Sequence, residues 1–420
     1  MLSKHAWISG SVVAVTALAT ISLTPAWADS TVHPQHSQKP PKNVILMVGD
    51  GMGAGHRQAI RLSKVGLKGE LEMDNMPISG LVHTSSADPK ETVTDSAAAA
   101  TAMSTGVKTF NGAIGVDVDK KSITSVMEVA KKLGKATGLV TTSQVTDATP
   151  AAFGSHVADR KDQSEIARQL IENAQPDVIL GGGEDYFYPV DNPGKYPDTK
   201  EQKSAGKTDL IKQAQKNGYK YVWNRKELKK TKDNKILGLF ANEEMFKQAP
   251  EDEGAVYKPV VPLKNMTKKA LSTLSRKSKK GFFLMVEEEG IDEMAHQNNA
   301  KLTMKSGKAF DKTVAVAKAY AKKHRNTLVI VVGDHETGGL TIENSGVEKY
   351  PDESGDGLSK EDGPFPVSHS DKTFMVDWTT GNHSGTDVPL TAMGPGSERL
   401  TGVYENTHIH DVILRTLQGR

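Results

Sequence analysis

Apolar runs of strand length alternate along this chain with longer segments that have helical periodicity, and this alternation sharply limits the fold. The predominantly apolar runs lie at 43–48, 136–141, 177–180, 281–286 and 327–332. The segments with helical periodicity lie at 96–104, 123–133, 163–173 and 304–323. Because the strands lack alternating polar residues, we expect both of their faces to be covered by helices. The sequence therefore predicts an α/β fold, a three-layer sandwich with a large, mostly parallel central sheet and helices on both faces.

Composition excludes several classes of protein. The 420 residues include 53 Lys+Arg and 51 Asp+Glu, a near-neutral balance that argues against a dedicated nucleic-acid-binding protein. A chain of this length with 37% hydrophobic residues can bury a large core, which excludes intrinsic disorder and small disulfide-stapled scaffolds. There is no Cys, but there are 13 His. Any metal must therefore be held by imidazole, carboxylate or hydroxyl groups.

The N-terminus has the pattern of a secretory signal peptide. Lys4 precedes an apolar stretch over 8–23, and the residues up to Ala28 form an A-x-A cleavage pattern. The apolar stretch is shorter than the ~20 residues of a spanning helix, which disfavours the alternative of an uncleaved membrane anchor. We expect a secreted, periplasmic or cell-envelope protein without a transmembrane span in its mature chain. The predicted divisions are a signal peptide over 1–28, a flexible lead-in over 29–42 and a catalytic domain with surface insertions over 43–420.

Carboxylate and imidazole side chains directly follow two of the predicted strands. Asp50 comes after the first strand, and Asp334 and His335 come after the strand at 327–332. Ligands of open α/β sheets bind at the carboxyl ends of the strands. A single Asp in such a position is commonly a turn or capping residue, which is the alternative for Asp50. The adjacent Asp334 and His335 are more specific, because they offer two kinds of donor atom to one crevice.

A third apolar run leads into the acidic segment 287–293. Asp292 and His296 are four residues apart, so one helical turn would place both within reach of one cation. The alternative is a solvated acidic helix start, which the preceding buried strand disfavours. His383 lies in a Gly-containing loop and is by itself most simply a loop residue. It gains significance if a metal site elsewhere lacks a ligand.

The most specific motif is VTDSAAAATAMSTG over 93–106. Its alanines predict a helix that begins at Ser96 and ends at Gly106. Ser96 could simply be the N-cap of this helix. The alternative is that the helix N-terminus binds an anion and that the Ser96 hydroxyl is a nucleophile toward phosphate. The small residues favour the nucleophile, because they let backbone and metal approach closely.

The octapeptide TDSAAAAT around Ser96 resembles the nucleophile signature of the alkaline phosphatases, and further motifs agree in the same order from Asn43 to the end of the chain. The resemblance implies hydrolysis of small-molecule phosphate monoesters through a covalent phosphoserine. It also implies two zinc ions, one magnesium ion and a possible homodimer. We expect no nucleic-acid partner.

The resemblance also implies roles for individual residues, with Ser96 as the nucleophile and Arg160 as the phosphate clamp. One zinc would be bound by Asp292, His296 and His383, the other by Asp50, Asp334 and His335, and the magnesium by Asp50, Thr149 and Glu287. Asp147 would reach the magnesium through water. Mixed imidazole and carboxylate ligands suit zinc, whereas oxygen ligands suit magnesium. A planar guanidinium can hold two phosphate oxygens, although the neighbourhood of Arg160 by itself indicates only a surface residue.

Three carboxylates depart from the family pattern. Glu288 and Glu289 stand where small residues usually follow the position of Glu287, and Glu293 stands where Lys, His or Trp is frequent. Their negative charge predicts tighter magnesium binding and weaker binding of product phosphate. Two other functions remain open: a phosphodiesterase of the same superfamily, and a non-catalytic metal- or phosphate-binding protein.

Overall fold

The computed structural model describes residues 43–196, 207–247, 255–345 and 360–420. The predicted signal peptide and lead-in therefore lie outside the described residues. Within these ranges, no helix has the length and apolar character needed to cross a membrane.

Strands and helices alternate through the described part of the chain. The strands are β1 Asn43–Gly49, β2 Ile78–His83, β3 Ala136–Gln144, β4 Val178–Gly182, β5 Lys220–Val222, β6 Ile236–Leu239, β7 Phe282–Glu288, β8 Thr327–Val332, β9 Glu336–Thr337, β10 Thr341–Asn344, β11 Lys360–Pro366, β12 Thr373–Trp378, β13 His383–Ser384, β14 Val388–Met393 and β15 Gly402–Glu405. The α-helices are α1 Ala54–Val65, α2 Ser96–Thr105, α3 Val126–Lys132, α4 Ala148–Gly154, α5 Gln163–Gln169, α6 Leu210–Lys216, α7 Arg225–Lys230, α8 Leu263–Lys277, α9 Gly290–His296, α10 Ala300–Lys323 and α11 Thr407–Gln418.

Ten strands form the central sheet in the order β15-β2-β14-β8-β1-β7-β3-β4-β6-β5. Only β14 runs antiparallel to its neighbours, β2 and β8, among the strands of this sheet. The other adjacent pairs are parallel. Strands β10, β12 and β11 form a small separate sheet, and β13 pairs with β9. The predicted large, mostly parallel sheet is confirmed.

Alternate residues of each central strand pack into two different cores. In β1, Leu46 packs into the core under α2, α3, α4 and α11, whereas Ile45 and Met47 pack into the core under α1, α8 and α10. All three side chains are fully buried. Burying such a side chain contributes about 1.5–3 kcal/mol, which explains why strands of this type require a helical layer on each face. The predicted three-layer sandwich is therefore confirmed.

Several observed strands extend farther than the apolar runs, and two of these strands end in polar residues. β3 and β7 continue to Gln144 and Glu288, past the predicted ends at 141 and 286. The polar residues at these ends are buried because they bond to one another across the sheet. The Thr141 hydroxyl donates a hydrogen bond to Glu287 Oε2 at 2.5 Å.

Two helices begin at residues other than those predicted, and a capping side chain explains each start. The helix predicted over 123–133 begins after Ser125, which forms a reciprocal capping box with Glu128. The helix predicted over 304–323 begins four residues earlier, after Asn299, whose side chain accepts a hydrogen bond from the N–H of Leu302. Hydrophobic periodicity locates a helix but leaves its first turn undefined.

Candidate active site and metal centre

Adjacent parallel strands bring Asp50, Asp334 and His335 together at the carboxyl edge of the sheet. Asp50 follows β1, and the other two follow its neighbour β8. All three are buried. His335 Nε2 lies 3.3 Å from Asp50 Oδ1 and 3.2 Å from Asp334 Oδ2. Asp334 Oδ1 accepts hydrogen bonds from the N–H groups of Gly51 and His335, which leaves Oδ2 facing the imidazole. The group is compact enough to hold one cation.

A second group contains Asp292, His296 and His383. The short helix α9 places Asp292 and His296 one turn apart, and His296 Nε2 lies 3.2 Å from Asp292 Oδ2 and 3.2 Å from His383 Nε2. The other ring nitrogens donate to carbonyl oxygens: His296 Nδ1 to Gly381 at 2.7 Å and His383 Nδ1 to Thr94 at 2.9 Å. In the neutral rings, both Nε2 atoms are thereby left with a lone pair toward the shared centre.

Gly51 allows these two groups to approach each other. Its φ is +64°, and a Cβ at this position would collide with Asp292 Oδ1 and with the Thr337 hydroxyl. That hydroxyl donates a hydrogen bond to Asp292 Oδ1 and lies 3.3 Å from His335 Nδ1. Thr337 therefore links the two groups, a role that the sequence interpretation missed.

A third group has only oxygen donors. The Thr149 hydroxyl lies 3.3 Å from Asp50 Oδ2 and also faces Glu287. Asp50 and Glu287 offer carboxylate oxygens within 4.8 Å of one another, together with an oxygen of Glu289. Asp50 therefore belongs to two groups, as expected from its position between β7 and β8.

Burial and mutual repulsion perturb these carboxyl groups. Burial, followed by the charges of Asp334, Asp292 and Glu287, raises the pKa of Asp50. Burial raises the pKa of Glu287 to about 8. Burial would also raise the pKa of Asp292, but the hydrogen bond from His296 lowers it below its ordinary value. The site thus concentrates buried negative charge and balances only part of it.

Several buried carboxylate oxygens lack a hydrogen-bond partner within the described part of the chain: Asp50 Oδ1, Glu287 Oε1, Glu289 Oε2 and Asp334 Oδ2. A buried charge without a partner costs several kcal/mol. Divalent cations would supply both the missing partners and the opposite charge. The two groups with imidazole nitrogens fit zinc, and the oxygen-only group fits magnesium.

Ser96 lies at the first position of α2, beside the group of Asp50, Asp334 and His335. The N-cap is Asp95, whose Oδ1 accepts a hydrogen bond from the N–H of Ala98 at 2.9 Å. The alternative that Ser96 caps the helix is therefore wrong. Its Oγ lies 3.0 Å from His335 Nε2. Gly106, with a φ of +77°, ends the helix in the left-handed conformation, as predicted.

Two carboxylates orient Arg160 toward this region. Its Nη2 donates to Asp147 Oδ1 at 2.9 Å, and its Nη1 lies 3.4 Å from Asp95 Oδ2. Asp95 immediately precedes Ser96, so the guanidinium is held near the hydroxyl. Its side chain is 29% exposed, which leaves it open to a ligand. The interpretation of Arg160 as an isolated surface residue is wrong, and only the family resemblance indicated otherwise.

Comparison with known proteins agrees with this arrangement. A family model described as alkaline phosphatase matches residues 41–354 and 361–418. The chain belongs to the alkaline phosphatase family. It is similar to alkaline phosphatase 4 of Bacillus subtilis (strain 168), with 35% identity over an alignment that covers 90% of this chain and 89% of that protein.

Solved alkaline phosphatases share the fold. The enzyme from the Antarctic bacterium TAB5 has a TM-score of 0.72 and 33% identity, covering 91% of this chain and 100% of its own. A histidine-to-aspartate variant of that alkaline phosphatase, with Mg bound in its M3 site, has a TM-score of 0.71 and 33% identity, covering 91% of this chain and 99% of its own. The chain is accordingly a phosphoric monoester hydrolase, as the resemblance implied.

Sequence interpretation missed three residues of this alkaline phosphatase site. Asp95 was overlooked as the helix cap. It stands three residues before Ala98 and accepts a hydrogen bond from the N–H of that residue. Thr337 could have been noticed because it stands two residues after His335. Glu289 was seen only as a nearby charge, and its contact with Asp50 and Glu287 depends on how the chain turns after β7.

Proposed function

We propose that this alkaline phosphatase hydrolyses phosphate monoesters through a covalent intermediate on Ser96. The observation that carries the proposal is the 3.0 Å distance, at the N-terminus of α2, from Ser96 Oγ to His335 Nε2, an atom of one group that is compact enough to hold a cation. The proposed ligands are Asp292, His296 and His383 for one zinc, Asp50, Asp334 and His335 for the other, and Asp50, Thr149 and Glu287 for magnesium. Asp147 acts indirectly, through its hydrogen bonds to Arg160 and Ser143.

Bound divalent cations would lower the pKa of the Ser96 hydroxyl and stabilise negative charge on the phosphoryl and leaving oxygens. In the first step, Ser96 Oγ releases its proton to solvent and bonds to phosphorus while the bond from phosphorus to the alcohol oxygen breaks. The alcohol leaves after taking up a proton from solvent. In the second step, water attacks the phosphoserine and loses a proton, the bond from phosphorus to Oγ breaks, and Ser96 Oγ takes up a proton as inorganic phosphate leaves.

Arg160 and the start of α2 are proposed to bind the phosphoryl group. The guanidinium has a planar fork that can contact two phosphate oxygens. The positive end of the helix dipole faces the same region and favours an anion. Asp95 supports both the start of α2 and Arg160, because one of its carboxylate oxygens caps the helix and the other faces the guanidinium.

Phosphoenzyme trapping tests the role of Ser96. We expect Ser96→Ala to form no acid-stable labelled phosphoenzyme and to lose turnover of an aryl phosphate by a factor on the order of 10³ or more. Ser104→Ala is the matched control, because Ser104 is buried in the same helix and donates only to the Thr101 carbonyl. Full activity together with labelled phosphoenzyme in Ser96→Ala would refute the proposal. Faster turnover of a bis-aryl phosphate than of the aryl phosphate would instead indicate a diesterase.

We also propose export and the predicted domain limits. The supporting observation is the charged, apolar and A-x-A pattern of residues 1–28. Sequencing the N-terminus of protein recovered outside the cytosol should give Asp29 as the first residue, and an intact Met1 would contradict this. Homodimer formation stays a prediction of the family resemblance, which sedimentation analysis can test.

A further inference from the structure

Three consecutive glutamates at the end of β7 have different surroundings. Glu287 faces Thr149 and Asp50 in the oxygen-only group. Glu288 is fully buried, and its oxygens accept hydrogen bonds from the Thr142 hydroxyl at 2.9 Å and from the Tyr257 hydroxyl at 2.6 Å. The carboxylate oxygens of Glu288 therefore have hydrogen-bond donors outside the metal centre.

Glu289 is buried like Glu288, but one of its oxygens has no hydrogen-bond partner in the part of the chain that the structure describes. Its side chain is 3% exposed, and its Oε2 accepts no hydrogen bond within the described residues. One of its oxygens lies within 4.8 Å of carboxylate oxygens of Asp50 and Glu287. A Glu289 oxygen also lies within 4.8 Å of carboxylate oxygens of Asp292 and Glu293. The carboxylate therefore faces the metal centre, among other carboxylates.

A buried carboxylate among other carboxylates is unfavourable unless a cation binds between them. We propose that Glu289 is a further protein ligand of the oxygen-only site formed by Asp50, Thr149 and Glu287. The inference rests on the proposed function only in treating that group as a cation site, and it does not depend on the chemistry of Ser96. The site would then offer three carboxylates and one hydroxyl, a donor set that suits Mg²⁺ or Mn²⁺.

This assignment gives the three extra carboxylates different roles, whereas the sequence analysis treated them together as one source of negative charge. Glu289 would bind the cation directly, whereas Glu288 is hydrogen-bonded to Thr142 and Tyr257. Glu293 is half-buried and is not part of the group that contains Asp50 and Glu287. Tighter binding at the oxygen-only site should therefore depend on Glu289 and hardly at all on Glu288.

Mn²⁺ titration followed by electron paramagnetic resonance can measure this dependence. The zinc-loaded protein is titrated with Mn²⁺, and the signal of free Mn²⁺ reports the affinity without any turnover. Glu289→Gln keeps the size of the side chain and should weaken Mn²⁺ binding by about tenfold or more. Glu288→Gln, the matched control, should keep the parental affinity. Parental affinity in Glu289→Gln, or an equal loss in both variants, would overturn the proposal.

Thermal unfolding separates a metal ligand from a residue that merely supports the fold. Without metal, the melting temperatures of Glu289→Gln and of the parent protein give the two baselines. With Mg²⁺ added, the melting temperature of Glu289→Gln should rise less than that of the parent protein. An equal rise in both proteins would overturn the assignment as a ligand. Because neither readout involves turnover, loss of the Ser96 mechanism would leave this test intact.

Discussion

Ser96 Oγ lies 3.0 Å from His335 Nε2, although 239 residues separate the two in the chain. The contact joins the start of α2 to the loop after β8, and it sets the hydroxyl beside a group, with Asp50 and Asp334, that is compact enough to hold a cation. A serine hydroxyl is a poor nucleophile at neutral pH unless its pKa is lowered. The neighbourhood of Ser96 is therefore suited to activating it through bound cations.

Removal of metal should reduce both stability and activity. The chain has no disulfide to compensate, because it contains no Cys. A ligand present at 100 times its Kd stabilises a folded protein by about 2.7 kcal/mol, so chelation should lower the Tm by several degrees. Calorimetry and aryl phosphate hydrolysis should show both losses, and zinc with magnesium should restore both. An unchanged Tm after complete metal removal would contradict the predicted contribution of metal to the fold.

The stability of the metal-free protein should fall as the pH rises. Burial raises the pKa of Glu287 to about 8 from 4.5, so the folded state keeps a proton that the unfolded chain releases. Stability present below about pH 4.5 is then progressively lost as the pH approaches 8. Bound cations replace the proton and should flatten this slope. Melting curves of the chelated and loaded proteins across this range give the comparison, and Glu287→Gln should reduce the slope of the chelated form.

Arg160→Lys should weaken phosphate binding. Lysine keeps the positive charge but cannot contact two oxygens through a planar fork, and it cannot reproduce the paired contacts with Asp95 and Asp147. We expect the inhibition constant for inorganic phosphate to rise by about tenfold, the equivalent of one charged hydrogen bond. Arg168→Lys is the control, since Arg168 pairs with Glu165 and Glu172 on the surface. Equal effects of the two substitutions would count against a clamp at Arg160.

Glu293→Lys should strengthen inhibition by product phosphate. Glu293 follows Asp292 in α9, so the substitution replaces a negative by a positive charge beside the metal centre. We expect a severalfold lower inhibition constant for phosphate. Glu398→Lys makes the same charge change at a side chain that is 67% exposed and should have little effect. Unchanged inhibition in Glu293→Lys would show that this carboxylate does not oppose phosphate binding.

The sequence by itself determined the fold class and the positions of most chemistry-bearing residues. Predominantly apolar strands such as β1 and β8 must be buried on both faces, and this requirement does not depend on distant contacts. The carboxyl ends of those strands then identify Asp50, Asp334 and His335 as residues of one edge. The Ala-rich segment after Ser96 likewise indicates a helix from local propensity, and Gly106 indicates its end.

Only the tertiary structure decided which of these side chains face one another. Asp95, rather than Ser96, caps α2, and Arg160 lies near Ser96 because Asp95 and Asp147 hold it there. Glu288 and Glu289 are adjacent and identical in type, yet Glu288 is hydrogen-bonded to Thr142 and Glu289 faces the metal centre. Local sequence cannot distinguish such neighbours, because side-chain direction and charge balance depend on residues that the fold brings together from distant segments.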